Sequence, residues 1–207
     1  MERIICIIIG YCFGLFQTGY IICRIKGIDI RQKGSGNAGT TNVIRTLGKK
    51  YGILTFAGDF FKCILAVLVC WLIFRGSDIW KLLIIYTSAG VILGHDFPFY
   101  LQFKGGKGIA VTAGMIVAFL DWRIMLISLA CFIVPLLISH TVSMGSLVLY
   151  GGFLVSMIIF GQLGSYGLPQ PVLTEMYIVT ALLLVLAYWM HRGNISRLAK
   201  GEERKMF

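Results

Sequence analysis

Charge is scarce in this 207-residue chain: Asp, Glu, Lys and Arg make up 14% of it, against about 25% in a typical soluble domain. Two hundred soluble residues would need more charge than this to cover their surface. Acidic residues are the scarcest, 9 against 19 Lys and Arg, which leaves a net charge of +10. No Cys-x-x-Cys occurs, and Cys6, Cys12, Cys23, Cys63, Cys70 and Cys131 all lie in apolar stretches. Neither a disulfide framework nor a metal site is implied; each thiol fits as a small apolar helix residue. No internal repeat is visible. No Ala-x-Ala-like cleavage site follows the first apolar run, residues 4–23. That run is too long for a signal-peptide core and reads as a retained span. These absences exclude a secreted disulfide scaffold, a disordered chain and an ordinary cytosolic enzyme.

What is present is apolar length. The chain is 57% hydrophobic with a mean hydropathy of +0.84, the composition of a multispanning membrane protein. Seven spans of roughly 20 residues would use about two thirds of it and leave no room for a large soluble domain. The pattern predicts spans at 4–23, 51–74, 82–101, 107–121, 124–140, 146–164 and 174–191. The fourth has a clean apolar core only over 109–120, a length that also suits a re-entrant segment. Polar breaks at 139–146 and 164–171 divide the uncharged stretch 124–174.

With the N-terminus outside, the inner regions carry seven Lys and Arg between residues 24 and 50, two at 104 and 107, and five from 192 to 205. The outer regions carry four: Arg3, Arg75, Lys81 and Arg123. This bias predicts an odd number of spans and a cytoplasmic C-terminus. It also accounts for the net positive charge without a nucleic-acid partner, while leaving anionic substrates or lipid headgroups compatible with it. The expectation is an all-α integral membrane protein with seven transmembrane helices, forming a single membrane-embedded domain over 1–207.

Polar residues concentrate in four segments, 31–50, 103–108, 139–146 and 191–205, all predicted on the cytoplasmic face. Segments converging on one side suggest a site at the membrane surface. The first contains Gly34, Ser35, Gly36, Asn37, Gly39, Thr40, Thr41, Asn42 and Arg45. Glycines let successive N–H groups turn toward an anion, and Arg45 can grip phosphate. Gly34, Gly36 and Gly39 match GxGxxG, yet no strand precedes them, and Thr40 stands where a Walker lysine would. A flexible polar loop is the alternative reading. In the second segment Lys104, Gly105, Gly106, Lys107 and Gly108 open the fourth helix, a ready anion site, or else an interfacial lysine pair. In the third, Ser143 and Ser146 either meet a ligand or cap the sixth helix. In the fourth, His191, Asn194 and Arg197 make a donor-rich face at helical spacing. Asp59 and Lys62 share a face of the second span, for function or for mutual neutralisation. His95 and Asp96, near the end of the third, pose the same choice.

Three stretches carry a resemblance: Gly-Ser-Gly-Asn-Ala-Gly-Thr-Thr-Asn-Val-Ile-Arg-Thr-Leu-Gly at 34–48, Phe-Lys-Gly-Gly-Lys-Gly at 103–108, and His-Arg-Gly-Asn-Ile-Ser-Arg-Leu-Ala-Lys-Gly-Glu at 191–202. In order and spacing, along the whole chain, they resemble the signature motifs of the PlsY family of bacterial membrane acyl-phosphate:glycerol-3-phosphate acyltransferases. The resemblance implies seven helices with the motifs at the cytoplasmic face of the cell's inner membrane. It implies acyl transfer from acyl phosphate to the 1-hydroxyl of glycerol 3-phosphate, giving lysophosphatidic acid and phosphate for phospholipid synthesis. It implies catalytic roles for Lys104, which also binds phosphate, for Ser35, a substrate-binding position, and for Ser143, the serine after the fifth helix. It further implies glycerol 3-phosphate binding by Arg45, His191 and Asn194. Asp59 and Lys62 match a Gly-Asp-x-x-Lys-Gly pattern; with Arg197 and Glu202 they are expected in support. No cofactor is implied. Coupling to an enzyme that forms acyl phosphate is. Three departures stand out: Ser139-His-Thr-Val-Ser143 lacks the arginine of Ser-Arg-Tyr-Val-Ser, Val111 replaces a threonine, and Cys63 replaces a glycine.

The residues agree with that chemistry. Both substrates are phosphates without a nucleotide. No His-x4-Asp pair is present, since Tyr100, Gly145 and Ser196 stand five places after the three histidines, and no Ser–His–Asp set is evident. An acyl phosphate is already activated, so positioning and charge neutralisation suffice. The competing class, a transporter of anionic molecules, would place its breaks near the midplane and show paired halves.

Overall fold

The computed structural model describes residues 1–206. Among the described residues ten α-helices form: α1 Glu2–Gly14, α2 Thr18–Ile25, α3 Thr40–Leu47, α4 Lys49–Ile73, α5 Trp80–Asp96, α6 Ile109–Ala118, α7 Trp122–Ser139, α8 Val142–Gln162, α9 Gln170–Met190 and α10 Arg192–Ala199. Six stretches of the described residues are long and apolar enough to cross a membrane: Glu2–Ile25, Lys49–Ile73, Trp80–Leu101, Trp122–Ser139, Val142–Gln162 and Gln170–Met190. They match six of the seven spans read from the sequence to within about four residues. The fourth expected span is α6, ten residues or about 15 Å at 1.5 Å per residue. That is half of a hydrocarbon core about 30 Å thick.

The chain divides into two compact units, Met1–Phe119 and the residues from Leu120 onward. In the first, α5 is the central element, with a run from Leu82 to Ile85 fully buried. Lipid offers no hydrophobic drive between helices, so close backbone approach must supply the packing. Gly10 and Gly14 of α1 meet Gly90 and Gly94 of α5. A Cβ on Gly10 would lie 2.1 Å from Thr87 O, and one on Gly94 would lie 2.3 Å from Tyr11 O. The two Gly-x3-Gly spacings stand in the sequence but were missed there, and only the structure shows that they face each other. Gly114 of α6 likewise sits against Phe60 O of α4. The outward sides carry large apolar residues, among them Phe61, Leu65 and Leu68 on α4. Exposed Leu126, Leu129 and Val134 of α7 do the same in the second unit, as a bilayer requires.

One expected span is not continuous. The run 4–23 breaks between α1 and α2, where Gln17 leaves helical geometry at φ −95° and ψ 87°. A break at membrane depth must satisfy its own carbonyls. Lys62 Nζ donates to Phe16 O at 2.7 Å and to Gly14 O at 3.4 Å. Tyr100 OH donates to Leu15 O at 2.5 Å, and Gln17 Nε2 donates to Gly14 O at 3.2 Å. The polar break expected at 139–146 is shorter than read. His140 takes a left-handed conformation at φ 56° and α8 starts at Val142, so Ser143 and Ser146 lie within the helix.

Candidate active site

The first polar segment is shaped by one buried amide. Asn42, 2% exposed, donates from Nδ2 to Lys33 O and Asn37 O, each at 2.9 Å, and accepts at Oδ1 from Ser35 N at 3.0 Å. The chain must double back to reach it, and Gly34 at φ 59° supplies the turn; a Cβ there would sit 2.1 Å from Asn42 Oδ1. Asn37 Oδ1 accepts from Gly39 N at 2.9 Å, just ahead of α3. Ser35 and Arg45 are left exposed. The segment is thus a tied loop followed by a helix rather than a flexible connection. In the stretch before it, Asp29 accepts from Arg31 Nε at 2.9 Å and from Nη2 at 2.7 Å. That fork holds the Asp29 carboxyl down at about 2 and occupies Arg31 locally.

The second segment closes on α5. Gly105 N donates to Asp96 O at 3.0 Å and Gly106 N to His95 O at 2.9 Å. Cβ atoms would meet His95 O at 2.0 Å from Gly105 and His95 Nε2 at 1.9 Å from Gly106. These glycines therefore serve packing against α5, where the sequence suggested room for a ligand at the main chain. Asn37 Nδ2 donates to Gly105 O at 3.2 Å, so the first two segments are joined. Gln102 and Phe103 both take positive φ, 57° and 59°, to swing the chain outward. Lys104 is exposed, and Lys107 is half-buried ahead of Gly108 and α6. Below the loop Asp59 and Lys62 are a buried pair at 2.9 Å, with Thr18 Oγ1 donating to Asp59 at 3.0 Å.

In the second unit the donors gather on a carboxylate. Glu203 Oε1 accepts from Ser143 Oγ at 2.7 Å and Asn194 Nδ2 at 2.6 Å, and Oε2 accepts from Arg197 Nε at 2.7 Å. Asn194 also donates to Ser143 Oγ at 2.8 Å. Burial alone would raise the Glu203 pKa. The hydrogen bonds from Ser143, Asn194 and Arg197, with the guanidinium charge, outweigh it and hold the group below its ordinary 4.5. Glu203 was missed in the sequence, where Glu202 was expected in support. Glu202 is exposed, and its main-chain N–H donates to Arg197 O at 2.8 Å. The residue after it turns inward, because Gly201 at φ 70° reverses the chain. Ser143 does not cap α8. Neither does Ser146, which donates to Val142 O at 2.8 Å. His191, buried at the end of α9, has Nδ1 2.8 Å from Ala187 O. A carbonyl only accepts, so Nδ1 carries a proton and donates. Among the described residues no three His, Cys, Asp or Glu side chains gather to hold a metal ion.

An exposed lysine on a backbone-tied glycine loop and, in the second unit, a Ser–Asn–Arg–Glu cluster about one helical turn from His191 suit anionic and hydroxyl-bearing ligands. Comparison with known proteins agrees. Residues 4–201 match the model of the glycerol-3-phosphate acyltransferase family. A glycerol-3-phosphate acyltransferase of Clostridioides difficile is 41% identical over 205 residues, covering 98% of this chain and 95% of that one. The one of Aquifex aeolicus is 35% identical over 205 residues, covering 99% and 100%. Among solved structures, PlsY, described as an integral membrane glycerol 3-phosphate acyltransferase, superposes in its glycerol 3-phosphate form with a TM-score of 0.85. It shares 31% identity, over 100% of this chain and 96% of that one; its lysophosphatidic acid form gives 0.80. With the three motifs, the six apolar helices and matches that run nearly end to end, this integral membrane chain belongs to the glycerol-3-phosphate acyltransferase family.

Proposed function

We propose that the chain transfers a fatty acyl group from acyl phosphate to the 1-hydroxyl of glycerol 3-phosphate, releasing lysophosphatidic acid and phosphate for phospholipid synthesis. The observation that carries this reading is the Lys104–Gly108 loop. It offers an exposed ammonium on a fixed backbone, with no nucleophile held by a base and an orienting acid beside it. An activated acyl donor needs only that much: charge neutralisation and alignment. The acceptor oxygen attacks the acyl carbonyl carbon, the carbon–oxygen bond to phosphate breaks, and the hydroxyl proton passes to the departing phosphate. No side chain is acylated. Lys104 and Lys107 stabilise the leaving phosphate, on a loop that Gly105 and Gly106 fix against α5 and that Gly108 leads into α6. Ser35 and Arg45 bind substrate phosphate at the Gly34, Gly36, Asn37, Gly39 and Asn42 loop. Ser143, His191 and Asn194 orient the acceptor, with Arg197 in support.

The reading extends to the setting. The chain is one acyltransferase domain in the inner membrane, with seven membrane segments counting α6, the N-terminus outside and the chemistry on the cytoplasmic side. The lipid bilayer receives its product, and an enzyme that forms acyl phosphate supplies its donor. A cysteine introduced after Lys205 should resist impermeant reagents in intact cells, and one at Ser77 should be labelled; the reverse pattern overturns the orientation. The deciding experiment is purified protein with palmitoyl phosphate and glycerol 3-phosphate. Phosphate release that requires both substrates, with no labelled acyl group left on the protein, is the expected result. Transfer only from an acyl thioester, or a stable adduct on Ser35 or Ser143, would overturn it.

A further inference from the structure

A buried cluster lies under the Lys104–Gly108 loop, and the chemistry just described does not use it. Lys62, Asp59 and His95 are 4%, 1% and 3% exposed. An ammonium has three N–H donors and no acceptor, and Asp59 gives Lys62 its counter-charge. The short contacts are to Phe16 O at 2.7 Å, Asp59 Oδ1 at 2.9 Å and His95 Nδ1 at 2.9 Å, with Gly14 O farther off at 3.4 Å. Because the ammonium only donates, His95 Nδ1 accepts, and the ring proton sits on Nε2. The Nε2 edge occupies the place that a side chain at Gly106 would take, 1.9 Å from its Cβ position. The same two residues are tied through the main chain, Gly106 N to His95 O at 2.9 Å. Gln17 Nε2 adds a second grip on His95 O at 2.9 Å.

Stability alone does not call for this arrangement. A buried ion pair is weak evidence for stability, and apolar groups of similar volume often do as well. Ionisable side chains inside a membrane point to function. Here Lys62 joins the break after α1 to the ring that Gly106 rests on.

We propose that His95, oriented by Lys62, is a positioning residue for the Lys104–Gly108 loop: its ring fixes Gly106 and so the backbone from which Lys104 projects. The inference rests on reading that loop as a phosphate-binding element. It predicts coupling between His95 and Gly106. His95→Asn keeps an acceptor near Nδ1 for Lys62 and withdraws the ring edge. Gly106→Ala pushes a methyl into the ring. Each should lower kcat/KM by about 10- to 100-fold, the scale of a small displacement of catalytic groups. Together they should be no worse than the worse single change, since both break one link.

A second readout needs no acyl chemistry. Inorganic phosphate should raise the thermal midpoint of the wild-type protein, and His95→Asn should need at least about tenfold more phosphate for the same rise. His95→Gln carries the same tests if His95→Asn does not accumulate. Losses that multiply in the double variant, or unchanged phosphate protection, would overturn the role. If the wild-type protein itself releases no phosphate from acyl phosphate, the functional reading fails, while phosphate protection still decides the role of His95.

Discussion

Asn42 in the first unit and Glu203 in the second are each the centre of a polar knot, and their partners differ in kind. Asn42 is bonded to main-chain groups of Lys33, Ser35 and Asn37. Glu203 is bonded to the side chains of Ser143, Asn194 and Arg197. The chemistry of each centre fits its task. A loop made of peptide groups offers donors and acceptors together, so an amide that both gives and takes can close it. A set of donors needs a partner that only accepts, and a carboxylate is that partner. The first unit therefore presents backbone and projecting charge, and the second presents oriented side chains. Loss of a projecting charge should remove chemistry without much cost in stability. Loss of a knot should cost stability and reach activity indirectly.

The largest effect should come from the charge. Lys104→Ala should lower kcat/KM by about 100-fold or more, or about 3 kcal/mol, the scale of one electrostatic contact made in the transition state. The thermal midpoint should barely move, since Lys104 is exposed. Lys107→Ala should cost less activity. If Lys104→Ala were as active as wild type, the first unit would not act through the charge it presents.

An intermediate effect should follow from changing the first knot at constant shape. Asn42→Asp keeps the acceptor for Ser35 N and removes both donors, leaving Lys33 O and Asn37 O facing a carboxylate. The cost should be about 1–3 kcal/mol, that of leaving buried polar groups unsatisfied, read from chemical denaturation. Activity should fall by about tenfold as the loop loosens. Unchanged stability would mean that the glycines alone hold the loop, and would erase the contrast with Glu203.

Much of this was legible in the sequence, and the reasons are physical. Six spans appear where apolar length demands them, because a bilayer imposes length before anything else. The loops at 34–48 and 103–108 read as phosphate-like from their glycines and basic residues, and the structure joins the two through Asn37 and Gly105. What those glycines do was not legible. Gly105 and Gly106 pack on His95, and composition cannot tell a glycine that admits a ligand from one that admits a neighbouring ring. The break after Gly14 was hidden because Leu15 and Phe16 keep the run apolar. Its signal was Gln17 followed by Thr18, with Asp59 on another span to accept from Thr18. Glu203 was missed for a different reason. A charged tail reads as solvated, and only the turn at Gly201 brings the second of two adjacent glutamates inward.

The smallest effect should come from the second knot, and pH separates it from the first. Glu203→Gln keeps one acceptor oxygen for Ser143 and Asn194 but sets an amide against the Arg197 guanidinium. The cost near neutral pH should be about 1 kcal/mol, at the low end for a hydrogen-bonded charge because Arg197 is partly solvated. Activity should fall by less than tenfold. The folded-state pKa of Glu203 lies below its ordinary 4.5, so the unfolded chain takes up the proton first as the medium is acidified. The stability from Glu203 is therefore complete above about 4.5 and is lost as pH falls through the folded value. The glutamine variant has no such titration. Thermal midpoints of the two proteins, measured from pH 7 downward, should differ by a constant amount until about 4.5 and then converge. For Asn42→Asp the titrating group is in the variant instead: acid removes the charge and returns one O–H donor, so the gap should narrow because the variant gains stability and not because its parent loses it. Parallel curves for Glu203→Gln down to the lowest pH would mean that the carboxylate is not what holds Ser143, Asn194 and Arg197 together.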